Sequence, residues 1–213
     1  MREYYERRGA DLDHWYRGTG PYADRPRPGW DEELAALVRL LEGLPVTRVL
    51  DVACGTGYLT RHLRGTVFAL DQSAAMLRAA RARAPSARLV RGDGLALPFP
   101  DRSFGRVFAA HFYGHLLPGE GRAFLAEARG VGVELVVVDA GPRGGAPRDE
   151  WQDRVLADGS RHRVFKRFFT AASLAAEVGA SRLLHDGHWF VAVAAEAPAP
   201  AAQARAPQDG WGD

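Results

Sequence analysis

The stretch of this chain best suited to chemistry is Val49-Leu-Asp-Val-Ala-Cys-Gly-Thr-Gly-Tyr58, an apolar strand running into a glycine-rich turn. Gly55 and Gly57 allow a ligand close to the backbone, because no Cβ intervenes. Glycines at this spacing also open a dinucleotide turn, G-x-G-x-x-G. Here the third position is Thr60, and Asp51 stands at the strand end just before the turn. A carboxylate there repels a pyrophosphate and attracts a cationic amino-acid ligand. The plainer reading is that Asp51 braces the turn.

Two further acids follow at strand ends. Asp71, with Gln72 after it, closes the next apolar run, where an acid can accept two hydroxyls of a ribose. Gly92-Asp-Gly-Leu95 follows a third run. Asp93 there can accept from an adenine amino group, and Leu95 can cover the ring. Beyond a fourth run comes Ala110-His-Phe-Tyr-Gly-His-Leu116. His111 and His115 have the ordinary pKa of a neutral-pH base, and Tyr113 could orient an acceptor. Each could equally be a packing residue. Cys54 reads as a small turn residue, since no base lies near it in sequence.

These residues need a scaffold that brings strand ends together. Apolar spacing predicts a helix over 31–42, then strands over 48–51, 67–70, 88–90, 106–110 and 133–138. Helices are predicted over 58–63, from Ser73 to about 83, over 122–129 and over 170–178. Segments 182–185 and 188–194 read as a hairpin turning at Asp186-Gly187, with His188 and Trp189 as structural residues at the start of its edge strand. Repeated βα units imply an α/β fold: a doubly wound, mostly parallel, seven-stranded Rossmann-like sheet ending in an antiparallel hairpin.

Three segments fall outside this alternation. Residues 1–30 carry Tyr4, Tyr5, Trp15, Tyr16, Tyr22 and Trp30. They read as a short helix and an irregular arm that packs on something, with His14, Trp15 and Tyr16 as a lid or as core. Residues 141–169 read as an insertion on the substrate side of a domain spanning 31–196. Its basic run, 161–167, suits an anionic acceptor, nucleic acid or a solvated strand face. The Ala/Pro-rich tail, 197–213, reads as disordered.

The 213 residues are 46% hydrophobic and 25% charged, with a net charge of +2. That balance is no nucleic-acid footprint. Lys166 is the only lysine and Cys54 the only cysteine, so neither an internal disulfide nor a cysteine zinc site is expected. No apolar run approaches the roughly 20 residues of a membrane span. A cytoplasmic protein without membrane insertion or a metal is expected, of undetermined oligomeric state.

Together the three strand-end motifs resemble the class I S-adenosylmethionine-dependent methyltransferases, specifically the methyltransferase type 11 group that includes the ubiquinone and menaquinone methyltransferases. The resemblance covers about residues 45–140. It implies S-adenosylmethionine as cofactor. Asp51, Ala53, Cys54, Gly55 and Gly57 would hold the methionine part, and Asp71 and Gln72 the ribose. Gly92, Asp93, Gly94 and Leu95 would hold the adenine, with Met76 near its edge. His111 would continue toward the sulfonium, with Tyr113 and His115 on the acceptor side. The implied activity is methyl transfer to a small-molecule acceptor. Alternatives are a non-catalytic S-adenosylmethionine-binding protein, a nicotinamide-dependent oxidoreductase, which Asp51 and Thr60 disfavour, and nucleic-acid methylation, for which no Asn/Asp-Pro-Pro-aromatic motif is present.

Overall fold

The computed structural model describes residues 2–8, 13–144 and 147–197. Five parallel strands form the body of the sheet: β1 (Thr47–Val52), β2 (Gly65–Asp71), β3 (Arg88–Arg91), β4 (Phe104–Ala110) and β5 (Gly132–Ala140). The antiparallel hairpin β8 (Arg182–Asp186) and β9 (Phe190–Glu196) completes it, in the order β3-β2-β1-β4-β5-β9-β8. The expected seven-stranded sheet is present. Strands β6 (Asp149–Val155) and β7 (Arg161–Arg167) form a separate antiparallel ribbon.

Both faces of the sheet are buried, so its central strands are apolar on both sides. Along β5, Leu135 and Val137 join one core cluster while Val136 and Val138 join the other. The first cluster packs beneath α5 (Pro118–Val131) and α6 (Ala171–Val178), through Phe124 and Leu174. The second packs beneath α3 (Trp30–Gly43), through Leu37 and Leu41, and takes in Ala84 and Ala87 after α4 (Ala74–Arg83). Ser73 caps α4 by accepting from the Met76 amide, and Thr170 caps α6.

Some elements depart from expectation. The helix predicted over 58–63 is a single 3-10 turn, Thr60–His62. Residues 53–64 must bring the chain back along a seven-residue strand, roughly 23 Å. A six-residue helix would cover about 9 Å; the connection runs instead through successive turns and the 3-10 turn Thr60–His62. Helix α5 starts at Pro118, earlier than expected, because Pro118 begins it and the Glu120 side chain accepts from the Leu117 amide at 2.8 Å. His188 and Trp189 lie in the hairpin turn, not in the strand, and Glu33 accepts from both their amides. The N-terminal segment forms α1 (Arg2–Arg8), α2 (His14–Arg17) and a 3-10 turn, Gly20–Tyr22. The tail from 198 onward lies outside the described residues.

Candidate functional site

Strand order reverses direction of growth at β1, with β2 on one side and β4 on the other. Open α/β sheets form their crevice beyond the carboxyl ends of strands at such a point. Here that end carries a cavity of about 810 Å³.

The glycine turn forms one wall. Ala53, Gly55 and Gly57 all have positive φ, at 57°, 55° and 77°. For Ala53 this left-handed conformation costs about 1–2 kcal/mol. The Cys54 amide donates to the Leu70 carbonyl at 3.0 Å, which ties the turn to β2. Ala53, Cys54 and Gly55 line the cavity, while Gly57 does not. A Cβ at Gly57 would lie 3.1 Å from the Cα of Ala80. Gly57 therefore lets the turn pack on α4.

Asp51 is 2% exposed and receives one hydrogen bond, from the Thr60 hydroxyl at 2.6 Å. Burial pushes its carboxyl up to about 7, against the Thr60 bond and with Asp71 adding repulsion. Asp71 receives two backbone donors, Gly55 N and Ser73 N, each at 2.9 Å. Burial raises its pKa and those amides oppose the rise. Asp93 accepts from the Leu95 amide at 3.0 Å, which folds residues 93–96 into a tight turn. Gln72, Gly92, Asp93, Gly94 and Leu95 all line the cavity. Met76 does not: it is fully buried in α4, so its expected place at a ligand edge is corrected.

His111 sits at the end of β4, with φ 53°. Its ring is packed against Trp15 at 4.7 Å and Phe190 at 5.7 Å. Its Nδ1 lies 4.0 Å from Asp139, and its buried Nε2 has no partner among the described residues. Burial lowers its pKa to about 4, with Asp139 opposing and Lys166 assisting. His115 Nδ1 lies 2.7 Å from the Phe165 carbonyl, a contact that requires Nδ1 to be the protonated nitrogen. Burial, Lys166 and Arg154 hold His115 well below the usual histidine range. Both histidines are on the cavity wall; Tyr113 is not. Tyr113 turns into the core beside Phe124 and Phe169, and its hydroxyl donates to Glu177 at 3.3 Å. An acceptor-orienting role for Tyr113 is thus corrected: the one-turn 3-10 helix Tyr113–His115 points neighbouring side chains to opposite sides.

Beneath the histidines lies a buried ion pair that sequence reading missed. Lys166 donates to Asp139 Oδ1 at 2.7 Å, and the Gly114 amide donates to Oδ2 at 2.7 Å. Burial pushes Asp139 up, but Lys166, His111 and the Ala140 amide outweigh it and hold the carboxyl below its usual range. The single lysine of the sequence and the acid ending β5 were the available signals. Their 27-residue separation concealed the pairing.

The N-terminal arm and the ribbon close the cavity. Tyr16 stacks on Tyr58 with ring centres 4.1 Å apart. Tyr4 accepts from Arg8 at 2.8 Å and from Arg154 of β6 at 3.1 Å, so arm and ribbon meet. Hydrogen bonds from the Ser73 hydroxyl and the Ala75 and Ala74 amides hold the Glu6 carboxyl below its usual range, at the N-terminus of α4. Tyr5 lines the cavity, and burial pushes its hydroxyl up to about 12. The basic run is split: Arg161 and Arg163 are exposed, while Lys166 and Arg167 are buried. Among the described residues no three His, Cys, Asp or Glu side chains gather as a metal site, and no helix is long and apolar enough to cross a membrane.

Residues 49–132 match the family described as "Methyltransferase domain". Over 84 residues the chain is 48% identical to a malonyl-[acyl-carrier protein] O-methyltransferase of Halorhodospira halophila, covering 33% of this chain and 28% of that protein. Over 74 residues it is 40% identical to a demethylmenaquinone methyltransferase of Renibacterium salmoninarum, covering 33% and 31%. The chain thus spans under a third of the length of these two relatives. Among solved structures, the DhpI–SAH complex superposes with a TM-score of 0.70 at 29% identity, covering 92% of this chain and 95% of that one.

Proposed function

We propose that this chain, whose residues 49–132 match a methyltransferase-domain family, is a class I S-adenosylmethionine-dependent enzyme that transfers a methyl group to a small-molecule acceptor. The observation that carries the reading is one cavity with Asp51, Asp71 and Asp93 at its strand-end side and His111 on its wall. S-adenosylmethionine fits that carboxylate set. Asp51 is buried with no cation beside it among the described residues. A ligand ammonium would supply the missing countercharge. Asp71 keeps acceptor capacity beyond its two backbone donors and suits ribose hydroxyls. Asp93 and Leu95 suit the adenine, and Ala53, Cys54 and Gly55 the methionine part.

When bound, S-adenosylmethionine supplies an electrophilic methyl on a sulfonium that leaves as a neutral thioether. The chain's own work is to bind, align and exclude water. His111, uncharged at neutral pH, can hydrogen-bond an acceptor through Nε2. His115 is held by the Phe165 carbonyl and forms a fixed wall. Residues 1–30 serve as the lid, 141–169 as the substrate-side wall and 31–196 as the domain proper. Near-balanced charge favours a small acceptor over nucleic acid, and a single cysteine suits the cytoplasm.

Calorimetry tests the reading. S-adenosylhomocysteine should bind near micromolar affinity, on the order of −8 kcal/mol, and NAD should not. Binding of NAD alone would replace methyl transfer with the oxidoreductase reading. S-adenosylhomocysteine binding without methyl transfer to any acceptor would favour a non-catalytic binder.

A further inference from the structure

Four guanidinium groups converge on the cavity from four separate segments: Arg8 of α1, Arg25 after the Gly20–Tyr22 turn, Arg143 after β5 and Arg154 of β6. None of them has a carboxylate within ion-pair distance among the described residues. Arg8 donates to the hydroxyls of Tyr4 and Tyr22, at 2.8 and 3.3 Å. Arg154 donates to Tyr4 and to the Gln152 side chain. Arg25 lies over the Tyr22 ring and Arg143 over the Phe168 ring, at 5.1 and 4.7 Å. Several arginines elsewhere are paired, Arg83 with Asp13, Arg106 and Arg182 with Glu134, Arg148 and Arg167 with Glu177, and others such as Arg48, Arg88 and Arg163 lie over aromatic rings; what sets these four apart is that they face one cavity.

Unneutralised like charges beside one another cost stability, and a bound anion would remove that cost. Burial lowers the pKa of Arg143; Glu150, also on the cavity wall, is the largest charge effect and opposes the fall, while Arg25 and Arg154 add to it. The other acids on this part of the wall are engaged or exposed. Glu120 caps its own helix, and Asp153 is exposed. Each guanidinium presents a planar fork of donors that matches an oxyanion.

Resting on the methyl-transfer reading, we infer that the acceptor carries a compact, doubly charged oxyanion of the phosphate type, seated among Arg8, Arg25, Arg143 and Arg154. The cofactor's own carboxylate can account for one guanidinium. Three remain, more than a single carboxylate acceptor would neutralise. His111 lies on the same cavity wall, and its buried Nε2, without a partner among the described residues, is the ring nitrogen left to contact the acceptor. The anion thereby holds the acceptor by its charge, leaving His111 to set its orientation.

The test uses the full chain saturated with S-adenosylhomocysteine, titrated with inorganic phosphate or acetate at constant ionic strength. Phosphate should bind at least about tenfold more tightly than acetate. Arg143→Gln and Arg154→Gln should each weaken phosphate by about tenfold or more, while the cofactor-product affinity moves less than about threefold. Arg25→Gln, at an exposed position that tolerates the change, should weaken phosphate likewise if a cavity variant fails to fold. Arg148→Gln, outside the cavity, should leave it unchanged. Phosphate binding no tighter than acetate, or unaltered in the cavity variants, overturns the inference. If S-adenosylhomocysteine binds and phosphate does not, the acceptor assignment alone falls. If S-adenosylhomocysteine itself does not bind, the methyl-transfer reading falls first.

Discussion

Thr60 donates its hydroxyl to Oδ2 of Asp51 at 2.6 Å, and this is the one hydrogen bond given to that buried carboxyl among the described residues. A dinucleotide turn has glycine where Thr60 stands. Here the position instead holds an acid that faces the cavity without a countercharge. The pairing leaves Asp51 close to its own midpoint at neutral pH, since burial places its pKa at about 7.

Cofactor binding should therefore release a proton. A ligand ammonium favours ionised Asp51, so at pH 7 about half a proton should leave on binding. Calorimetry of S-adenosylhomocysteine in two buffers of different ionisation enthalpy reads this directly. Asp51→Asn should abolish the buffer dependence attributed to this group. Equal enthalpies in both buffers for the parent protein would count against Asp51 as the ammonium partner.

The same group makes a prediction for stability. The folded pKa of Asp51 lies above its unfolded value of 3.8. Its contribution is fully present below about pH 4 and is lost as pH rises through about 7. Asp51→Asn should thus make the ligand-free protein more stable at pH 8, by about 1–3 kcal/mol, while weakening the cofactor product. Denaturant titration at pH 5 and pH 8 distinguishes this from a simple packing effect, which would not change with pH.

His111 works in the opposite sense. Its folded pKa, about 4, lies below the ordinary 6.5. The unfolded chain binds the proton first, so acidification from about 6.5 to 4 removes on the order of 3 kcal/mol of stability through this residue. His111→Asn tolerates the left-handed backbone and should flatten that acid limb. With saturating S-adenosylmethionine, kcat/KM for an acceptor should show no inflection near pH 6.5 from His111. His111→Asn should lower turnover by about 10²-fold or more. A variant at near parent rate would remove His111 from the acceptor site.

The parallel sheet and its closing hairpin were legible because buried strands, glycines and caps act locally. The strand ends at Asp51 and Asp71 and the turn at Asp93 were readable for the same reason, but the helix expected over 58–63 is a single 3-10 turn. The ribbon was not. Along β6 the apolar Trp151 and Val155 are the exposed residues, 50% and 60%, whereas the polar Glu150, Gln152 and Arg154 are half-buried, and all of them border the cavity. A strand lining a polar cavity inverts the usual apolar-in pattern. Lys166 with Asp139, and the four cavity arginines, were hidden because they meet only through the tertiary fold. Tyr113 and Met76 were misread because proximity in sequence to a site does not fix which way a side chain points.

Asp71→Ala should weaken S-adenosylhomocysteine by about 1–3 kcal/mol and also lower the melting temperature. The second effect follows from the two amides, Gly55 N and Ser73 N, that lose their acceptor. Asp71→Asn retains one acceptor oxygen and should recover much of the stability but less of the affinity. Equal affinity in all three proteins would show that Asp71 serves the turn alone.

The arm offers the last test, because it is tethered both to α4 and to the ribbon. Glu6 accepts from Ser73, Ala75 and Ala74 at the start of α4, and Tyr4 accepts from Arg154 on the ribbon at 3.1 Å. Between these tethers and the sheet, Trp15 packs on His111 and Tyr16 stacks on Tyr58. A lid held this way can close over the reacting groups and keep water out. Glu6→Gln with Tyr4→Phe removes one charge and one hydroxyl while keeping the arm's apolar contacts. Hydrogen exchange should then rise in α1 and α2. Turnover should fall by about tenfold or more while S-adenosylhomocysteine affinity changes less than about threefold, since a lid acts on closure more than on cofactor contact. Faster exchange with unchanged turnover would show that the arm merely packs there. An equal loss of affinity and turnover would place the arm in cofactor binding instead.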